Sequence, residues 1–224
     1  MPQIDILNLT KVYSIGGSTV RAVDNVSLSI GKGDFLSIVG HSGSGKTTLL
    51  SIIGGIIMPT SGRVLFDGTD ICTLDDDGLS EYRNRKIGFM FQFASLLPIL
   101  TAKENILLPV LFGPEAKAGN GKQAAEYLDL VGLGDKVDAY PSQLSGGQQR
   151  RVAIARALMN GPEVILADEP TGDLDEETEA EIMELFNRLN REKQVTFIFI
   201  THNLDLARQA QKQVRMSQGL LKEL

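Results

Sequence analysis

The sequence predicts an α/β fold built from a parallel-sheet core, a separate antiparallel β layer and an inserted helical lobe. Three observations carry this. The runs VILAD (164–168) and VTFIFIT (195–201) are apolar almost throughout, as strands buried on both faces must be, and the short strand DFLSIV (34–39) leads through a loop into a helical pattern. QIDILNL (3–9) and VSLSI (26–30) instead alternate apolar and polar residues, the period of half-buried strands. From about 93 to 160 the pattern turns helical.

In chain order, the alternating strands open the chain and DFLSIV runs into a glycine-rich loop. TTLLSIIGGII (47–57) reads as an apolar helix stopped by Pro59. RVLF (63–66), before Asp67-Gly68, is a strand and turn, and IGFMF (87–91) is a further strand. A helical stretch ending near Leu111 and another at 122–131 flank a loop from Gly113 to Gly121 that contains Pro114. In 176–192, Ile182, Leu185, Phe186 and Leu189 recur at helical spacing and mark one buried face. QVRM (213–216) reads as an edge strand. The division is one domain over 1–224, with the β layer at about 1–30 and 63–70. The core covers 31–92 and 161–224, and the helical lobe 93–160.

A length of 224 residues, 42% hydrophobic and 22% charged, is enough for a buried core. The net charge of −6 leaves no basic footprint for duplex phosphates, so nucleic acid is not the expected partner. Cys72 stands alone, which excludes an intrachain disulfide and a cysteine-cluster metal site; it reads as a small half-buried residue. The start MPQIDILNLTK has no signal-peptide pattern, and no stretch nears the roughly 20 apolar residues that span a bilayer. Any membrane contact is expected to run through another chain.

Gly40-His41-Ser42-Gly43-Ser44-Gly45-Lys46-Thr47 fits G-x-x-x-x-G-K-[ST] and lies between a strand and a helix, the context that pattern needs. Its glycines let backbone N–H groups turn inward around phosphate oxygens, and the helix N-terminus adds a positive dipole. Lys46 would reach the β- and γ-phosphates, and the Thr47 hydroxyl would bind Mg²⁺, with Thr48 beside it. His41 inside this loop reads as a tolerated exposed residue.

VILAD ends in Asp168-Glu169-Pro170. A carboxylate at the C-terminal edge of a buried strand is placed to hold Mg²⁺, usually through water, and the adjacent Glu169 can polarise an attacking water. A solvated Asp-Glu pair at a strand end is the plain alternative, and the phosphate loop tips the choice toward chemistry. Leu144-Ser145-Gly146-Gly147-Gln148 then opens a helix running through VAIARALM, which reads as a second anion cradle, a plain N-capped helix being the common alternative for Ser-Gly-Gly. A single nucleotide needs one phosphate cradle, so the second implies a second copy of the chain. Ser145, Gly146, Gly147 and Gln148 would then cap the γ-phosphate held by the partner copy.

Phosphate loop, LSGGQ and ILADEP together resemble the ATP-binding-cassette (ABC) ATPases, in that family's order and spacing and over nearly the whole chain. The resemblance implies a P-loop NTPase (RecA-like) core carrying the antiparallel layer and the helical subdomain, with ATP and Mg²⁺ as ligands. It also implies roles that the residues alone do not. Gln92 matches the glutamine that touches Mg²⁺ and signals to the transport partner, and Tyr13 the aromatic that stacks on adenine. Asp173 and Asp175, in Gly172-Asp173-Leu174-Asp175, match the loop linking two ATP sites across a dimer. His202 matches the histidine at the γ-phosphate, although a lone histidine is more often structural. Glu169, His202 and Lys46 are then the catalytic set, and Thr47, Gln92 and Asp168 the metal set.

Within the family, TGDLD, YPSQLSGGQQRRVAIARAL and LLPILTAKENILLP resemble the lipoprotein-release, macrolide-export and cell-division group. Two departures stand out: Asn203 where many relatives carry Asp after the histidine, and MSQG (216–219) in place of an Asp-Gly turn. The implied activity is ATP hydrolysis by a dimer that drives a separate transmembrane permease. The site of action would be the cytoplasmic face of the inner membrane. A regulatory machine that controls a periplasmic or cell-wall enzyme through a membrane partner is the alternative. The repair and chromosome-handling ABC ATPases are set aside, since long coiled coils, zinc modules and a split cassette are missing. The apolar run Leu96, Leu97, Ile99, Leu100, Ile106, Leu107, Leu108, Val110, Leu111 and Phe112 is expected to leave some members exposed as a groove for a permease helix.

Overall fold

The computed structural model describes residues 1–111, 120–172 and 174–224. β1 (Ile4–Ile15) and β2 (Ser18–Ile30) form a long antiparallel hairpin around Gly16-Gly17, both at positive φ, the backbone that a two-residue hairpin turn requires. Only the inner parts of both strands were legible as 3–9 and 26–30. Register shifts between Ile6 and Val12 break the alternation further out, and residues 18–21 are all exposed. The chain then runs through β3 (Phe35–Val39) and a glycine turn into α1 (Lys46–Ile53), and returns as β4 (Ser61–Phe66) and β5 (Thr69–Asp70). These complete a four-stranded layer in the order β2-β1-β4-β5.

Helix α1 is shorter than the expected 47–57. Gly54 caps it, Gly55 follows at φ +64, and side chains satisfy the freed carbonyls: Tyr82 Oη donates to Ile53 O and Arg83 to Gly55 O, both at 2.8 Å. Pro59 is thus not what stops it. Tyr82 and Arg83 belong to α2 (Asp76–Lys86), an element without a sequence expectation, because only Leu79 and Tyr82 in it are buried. Its start is set by Asp75, whose carboxylate accepts from Gly78 N. β6 (Ile87–Met90) follows directly.

The helical lobe consists of α3 (Ala102–Leu111), α4 (Asn120–Leu130) and α5 (Gly146–Leu158). Asn120 and Gly121 of the expected loop belong to α4; its residues 113–119, and Phe112, lie outside the described residues. Asn105, fully buried in α3, organises the segment before it. Its Oδ1 accepts from Leu97 N at 2.7 Å, and its Nδ2 donates to the carbonyls of Leu97, Leu100 and Thr101 at 2.9–3.1 Å.

Then come β7 (Val164–Asp168), α6 (Glu176–Lys193), β8 (Thr196–Thr201), the short α7 (Leu204–Ala207), β9 (Lys212–Ser217) and β10 (Leu220–Glu223). The second sheet has the order β10-β9-β3-β8-β7-β6, parallel except for β10. The 213–216 strand is therefore not an edge: Gln218 and Gly219, both at positive φ, turn the chain back so that β10 covers it.

Alternation along the central strands explains their unbroken apolar runs. Phe35, Ile165, Ala167, Phe197 and Phe199 face the helices, while Leu36, Ile38, Leu166, Ile198 and Ile200 face α1 and the first layer. On the helical side Phe197 packs with Phe35 and Phe186 at ring distances of 5.6 and 5.1 Å. Each such ring contributes about 1.5–3 kcal/mol through burial. The α6 stripe Ile182, Leu185, Phe186 and Leu189 joins the same cluster as the helical lobe, so the lobe shares its core with the sheet.

Asn105→Leu is expected to destabilise the fold by about 2–3 kcal/mol, because the buried N–H of Leu97 and its neighbouring carbonyls lose their partner. Chemical denaturation reads this directly. A loss within about 0.5 kcal/mol would contradict the anchoring role.

Candidate functional site

Strands β3, β6, β7 and β8 run in parallel, so their C-terminal ends meet on one side of the sheet. A cavity of about 490 Å³ opens there, lined by Gly40, Ser42–Thr48, Gln92, Asp168, Glu169, Gly172 and His202, with Ala22 from the β layer. The loop after β3 is held in its tight course by contacts that no side chain could share. A Cβ at Gly45, where φ is +105°, would lie 1.9 Å from the Ala22 carbonyl oxygen, and one at Gly40 would lie 2.2 Å from that of Met216. The β9–β10 turn fastens the loop from behind: Gly219 donates to Ser44 O at 3.1 Å and accepts from Asp24 N at 2.9 Å. The MSQG departure thus still makes a turn, and that turn braces the phosphate loop.

Two features of the loop suit an anion. Ser44 Oγ is buried and has no hydrogen-bond partner among the described residues. Lys46 is only 8% exposed, and its ammonium donates to Gly40 O at 2.7 Å and His41 O at 2.9 Å. An ammonium has three donors, so one remains for the cavity that Lys46 lines. His41 takes part through its backbone; its side chain is exposed and does not line the cavity.

Across the cavity, burial raises the pKa of Asp168, partly offset by a hydrogen bond from the Thr47 hydroxyl and by the Lys46 charge. Thr47 and Asp168 are thereby held side by side, oxygens that suit a hard cation such as Mg²⁺, and Gln92 lines the same space. Glu169 is next to Asp168 and has φ of +47°, a left-handed conformation that is strained for a residue other than glycine. Its backbone is fixed by Glu169 N donating to Ile200 O at 3.1 Å. Its Oε2 accepts from His202 Nδ1 at 3.0 Å and from His202 N at 3.4 Å.

The remaining candidate residues lie outside this cavity. Tyr13 is half-buried on β1 opposite Val20, two residues along β2 from the cavity-lining Ala22, with Lys11 Nζ 5.2 Å from its ring centre. Ser145 caps α5, accepting from Gln148 N at 3.2 Å, while Gln148 reaches back to Ser145 N at 3.0 Å. Ser145 and Gly146 are exposed, and none of Ser145, Gly146, Gly147 and Gln148 lines the cavity of their own chain. Asp175 caps α6 by accepting from Thr178 N at 2.9 Å; Asp173 lies outside the described residues.

Sequence reasoning missed Arg150 and Arg156, both on α5. Arg150 is buried and donates to Phe91 O at 3.1 Å and Gly172 O at 3.3 Å. Arg156 donates to Ala94 O and Ser95 O at 2.8 Å, and burial lowers its pKa. Together they grip the segment on both sides of Gln92. The signal was present as arginines placed inside the apolar stretch of a helix, where a charge needs partners.

The sequence profile of the ABC transporter family matches residues 23–172. The chain belongs to that family. Macrolide export ATP-binding/permease protein MacB of Syntrophobacter fumaroxidans is 45% identical over 223 residues, which cover 99% of this chain and 31% of that protein. The chain therefore spans about a third of that relative. An uncharacterized ABC transporter ATP-binding protein of Thermotoga maritima is 46% identical, over 96% of this chain and 92% of that one. The dimeric structure of the ATP-binding cassette MJ0796, in a post-hydrolysis state bound to ADP and Pi, superposes with a TM-score of 0.90 at 43% identity. It covers 99% of this chain and 98% of its own. This ABC cassette is an ATP-binding, ATP-hydrolysing protein with the P-loop ABC ATPase fold.

Lys46→Ala is expected to weaken ATP binding about 10- to 100-fold and to reduce turnover at least as much, since a charge-assisted contact in a partly dry site is removed. Calorimetric titration with ATP and a coupled phosphate-release assay measure both. Near-normal turnover would refute the assignment of the loop as the nucleotide cradle.

Proposed function

We propose that this cassette closes as a dimer with a second copy of itself around two Mg-ATP and thereby drives a separate transmembrane permease, of the export, efflux or lipoprotein-extraction type. The observation that carries the dimer is the α5 N-terminus. Its capped and exposed end is a second anion cradle that contributes nothing to its own chain's cavity. In this reading Ser145, Gly146, Gly147 and Gln148 reach the γ-phosphate of the partner copy, and Asp173 and Asp175 belong to the loop between the two sites. The dimeric MJ0796 cassette supports it.

Within one site, Tyr13 stacks on the adenine and the loop Gly40–Thr48 wraps the phosphates, with Lys46 facing the β- and γ-oxygens. Thr47 and Gln92, with Asp168 through water, would hold Mg²⁺, which neutralises charge developing on the phosphates. Glu169 accepts a proton from the attacking water, and His202 holds that carboxylate in place and faces the γ-phosphate. The two contacts from His202 hold the Glu169 carboxylate in one place, so little orientation remains to be found.

No helix among the described residues is long and apolar enough to cross a membrane. The permease reading draws on the macrolide exporter, a relative named for both ATP-binding and permease functions, of which this chain spans 31%. The cassette then works at the cytoplasmic face of the inner membrane, held there by the permease. Its docking surface is the exposed apolar stretch around Gln92 and before α3, where Phe91, Phe93, Leu97 and Ile99 are 48%, 67%, 44% and 80% exposed. Leu96 and Leu107 pack against the core and Ile106 and Val110 are buried, so the outward members of the run are few.

Glu169→Gln should retain Mg-ATP, lose turnover by about 100-fold or more, and elute as a dimer with ATP on a sizing column. A variant that turns over like the parent, or stays monomeric with ATP, removes the proposed base and sandwich. Leu97→Glu should leave basal ATPase activity intact and weaken co-purification with the permease from membranes. Since only the backbone of Leu97 is bound by Asn105, folding should survive the change. Unchanged permease recovery would clear this surface of the role.

A further inference from the structure

Asn203 follows His202 directly, at the start of α7. Its side chain is used at both ends. Oδ1 caps α7, accepting from Asp205 N at 2.9 Å and Leu206 N at 3.4 Å. Capping leaves Nδ2 pointing the other way, where it donates to Glu179 Oε1 of α6 at 3.2 Å. Its backbone N–H donates to Thr201 Oγ1 at 3.0 Å. Three elements, β8, α6 and α7, thus converge on the residue beside the histidine that binds Glu169.

We propose that Asn203 is a positioning residue for hydrolysis in this chain: its amide ties the His202 segment to the first turns of α6 through Glu179, and so keeps His202 on Glu169. The proposal rests on the reading of Glu169 and His202 given above. Glu179 lies one turn beyond Asp175, which caps α6 directly after the loop proposed to join the two ATP sites. The tie therefore connects that loop's helix to the histidine by one side-chain bond. It also gives a reason for asparagine at 203. Aspartate caps a helix as well as asparagine does, but it offers no donor and would set a second carboxylate against Glu179.

This chemistry permits a test that separates the tie from the cap. Asn203→Asp keeps the cap, removes the donor and turns a carboxylate toward Glu179. Glu179→Gln keeps an acceptor oxygen for Asn203. The double variant restores a donor–acceptor pair with its direction reversed. Steady-state ATPase kinetics of this chain should show Asn203→Asp with kcat lowered about fivefold to tenfold and KM for Mg-ATP within about twofold of the parent. Glu179→Gln should stay within about twofold, and the double variant should return to within about threefold of the parent. An Asn203→Asp protein with parental kcat would overturn the proposal. So would a loss that the double variant retains, or one that comes with a raised KM and a lowered melting temperature, which marks simple misfolding. Glu169→Gln run in parallel distinguishes the two levels. If it is inactive while Asn203→Asp is parental, only the tie fails; if it is active, the catalytic reading fails first.

Discussion

The parallel pairing of β3, β8 and β7 is the constraint on which the site depends. Val39 lies opposite Thr201, and Asp168 opposite Ile200, so the residues that follow these strands emerge side by side. Gly40, Glu169 and His202 have no choice of neighbour once that register is set. The register is itself fixed by burial. Phe35, Phe197 and Phe199 face one core while Leu36, Ile198 and Ile200 face the other, and a slip of one residue would exchange every one of them. Chemistry at the strand ends is therefore stabilised by packing in the strand middles.

Positions at the strand ends need finer control than a sheet supplies. Polar ties between elements provide it. Glu169 keeps a left-handed backbone because Ile200 O and His202 hold it on two sides, and the phosphate loop keeps its course because the β9–β10 turn bonds to Ser44. Away from the site the same device recurs: Asn190 of α6 donates to Gly33 O and Val195 O, and Thr196 Oγ1 accepts from Gly33 N. Each tie removes freedom from a loop that has few apolar contacts of its own.

Much of the architecture was legible because burial leaves a periodic mark. The three central strands, the α6 stripe and the glycine loop are readable from residue type and spacing alone. The features that the sequence does not reveal lack such marks. Helix α2 buries only Leu79 and Tyr82, and a single pair three residues apart is too little to mark a period across Asp76–Lys86. The end of α1 is set by Tyr82 and Arg83, which approach from another element and cannot be foreseen locally. The outer half of the β1–β2 hairpin loses its alternation to bulges. In the site, Lys46, Thr47, Asp168 and Glu169 carry pattern or strand-end logic, whereas the functional meaning of Tyr13, Gln92, Asp173, Asp175 and His202 came with the family resemblance. Arg150 and Arg156 escaped because their partners are backbone carbonyls distant in sequence, and carbonyls have no sequence signature.

Those arginines give α5 a second task beside packing. Its N-terminal end, capped by Ser145, faces solvent, while Arg150, five residues along, holds Phe91 O and Gly172 O. Arg156, two turns further on, holds Ala94 O and Ser95 O, and Ser95 sits at φ of +47° in that grip. The helix is unbroken from its exposed end to both grips, with every peptide bonded to the next turn. The carbonyls they hold flank Gln92 on one side and follow Glu169 on the other. Through bonds already made, α5 thus joins its exposed end to the backbone around Gln92 and to the backbone that follows Glu169.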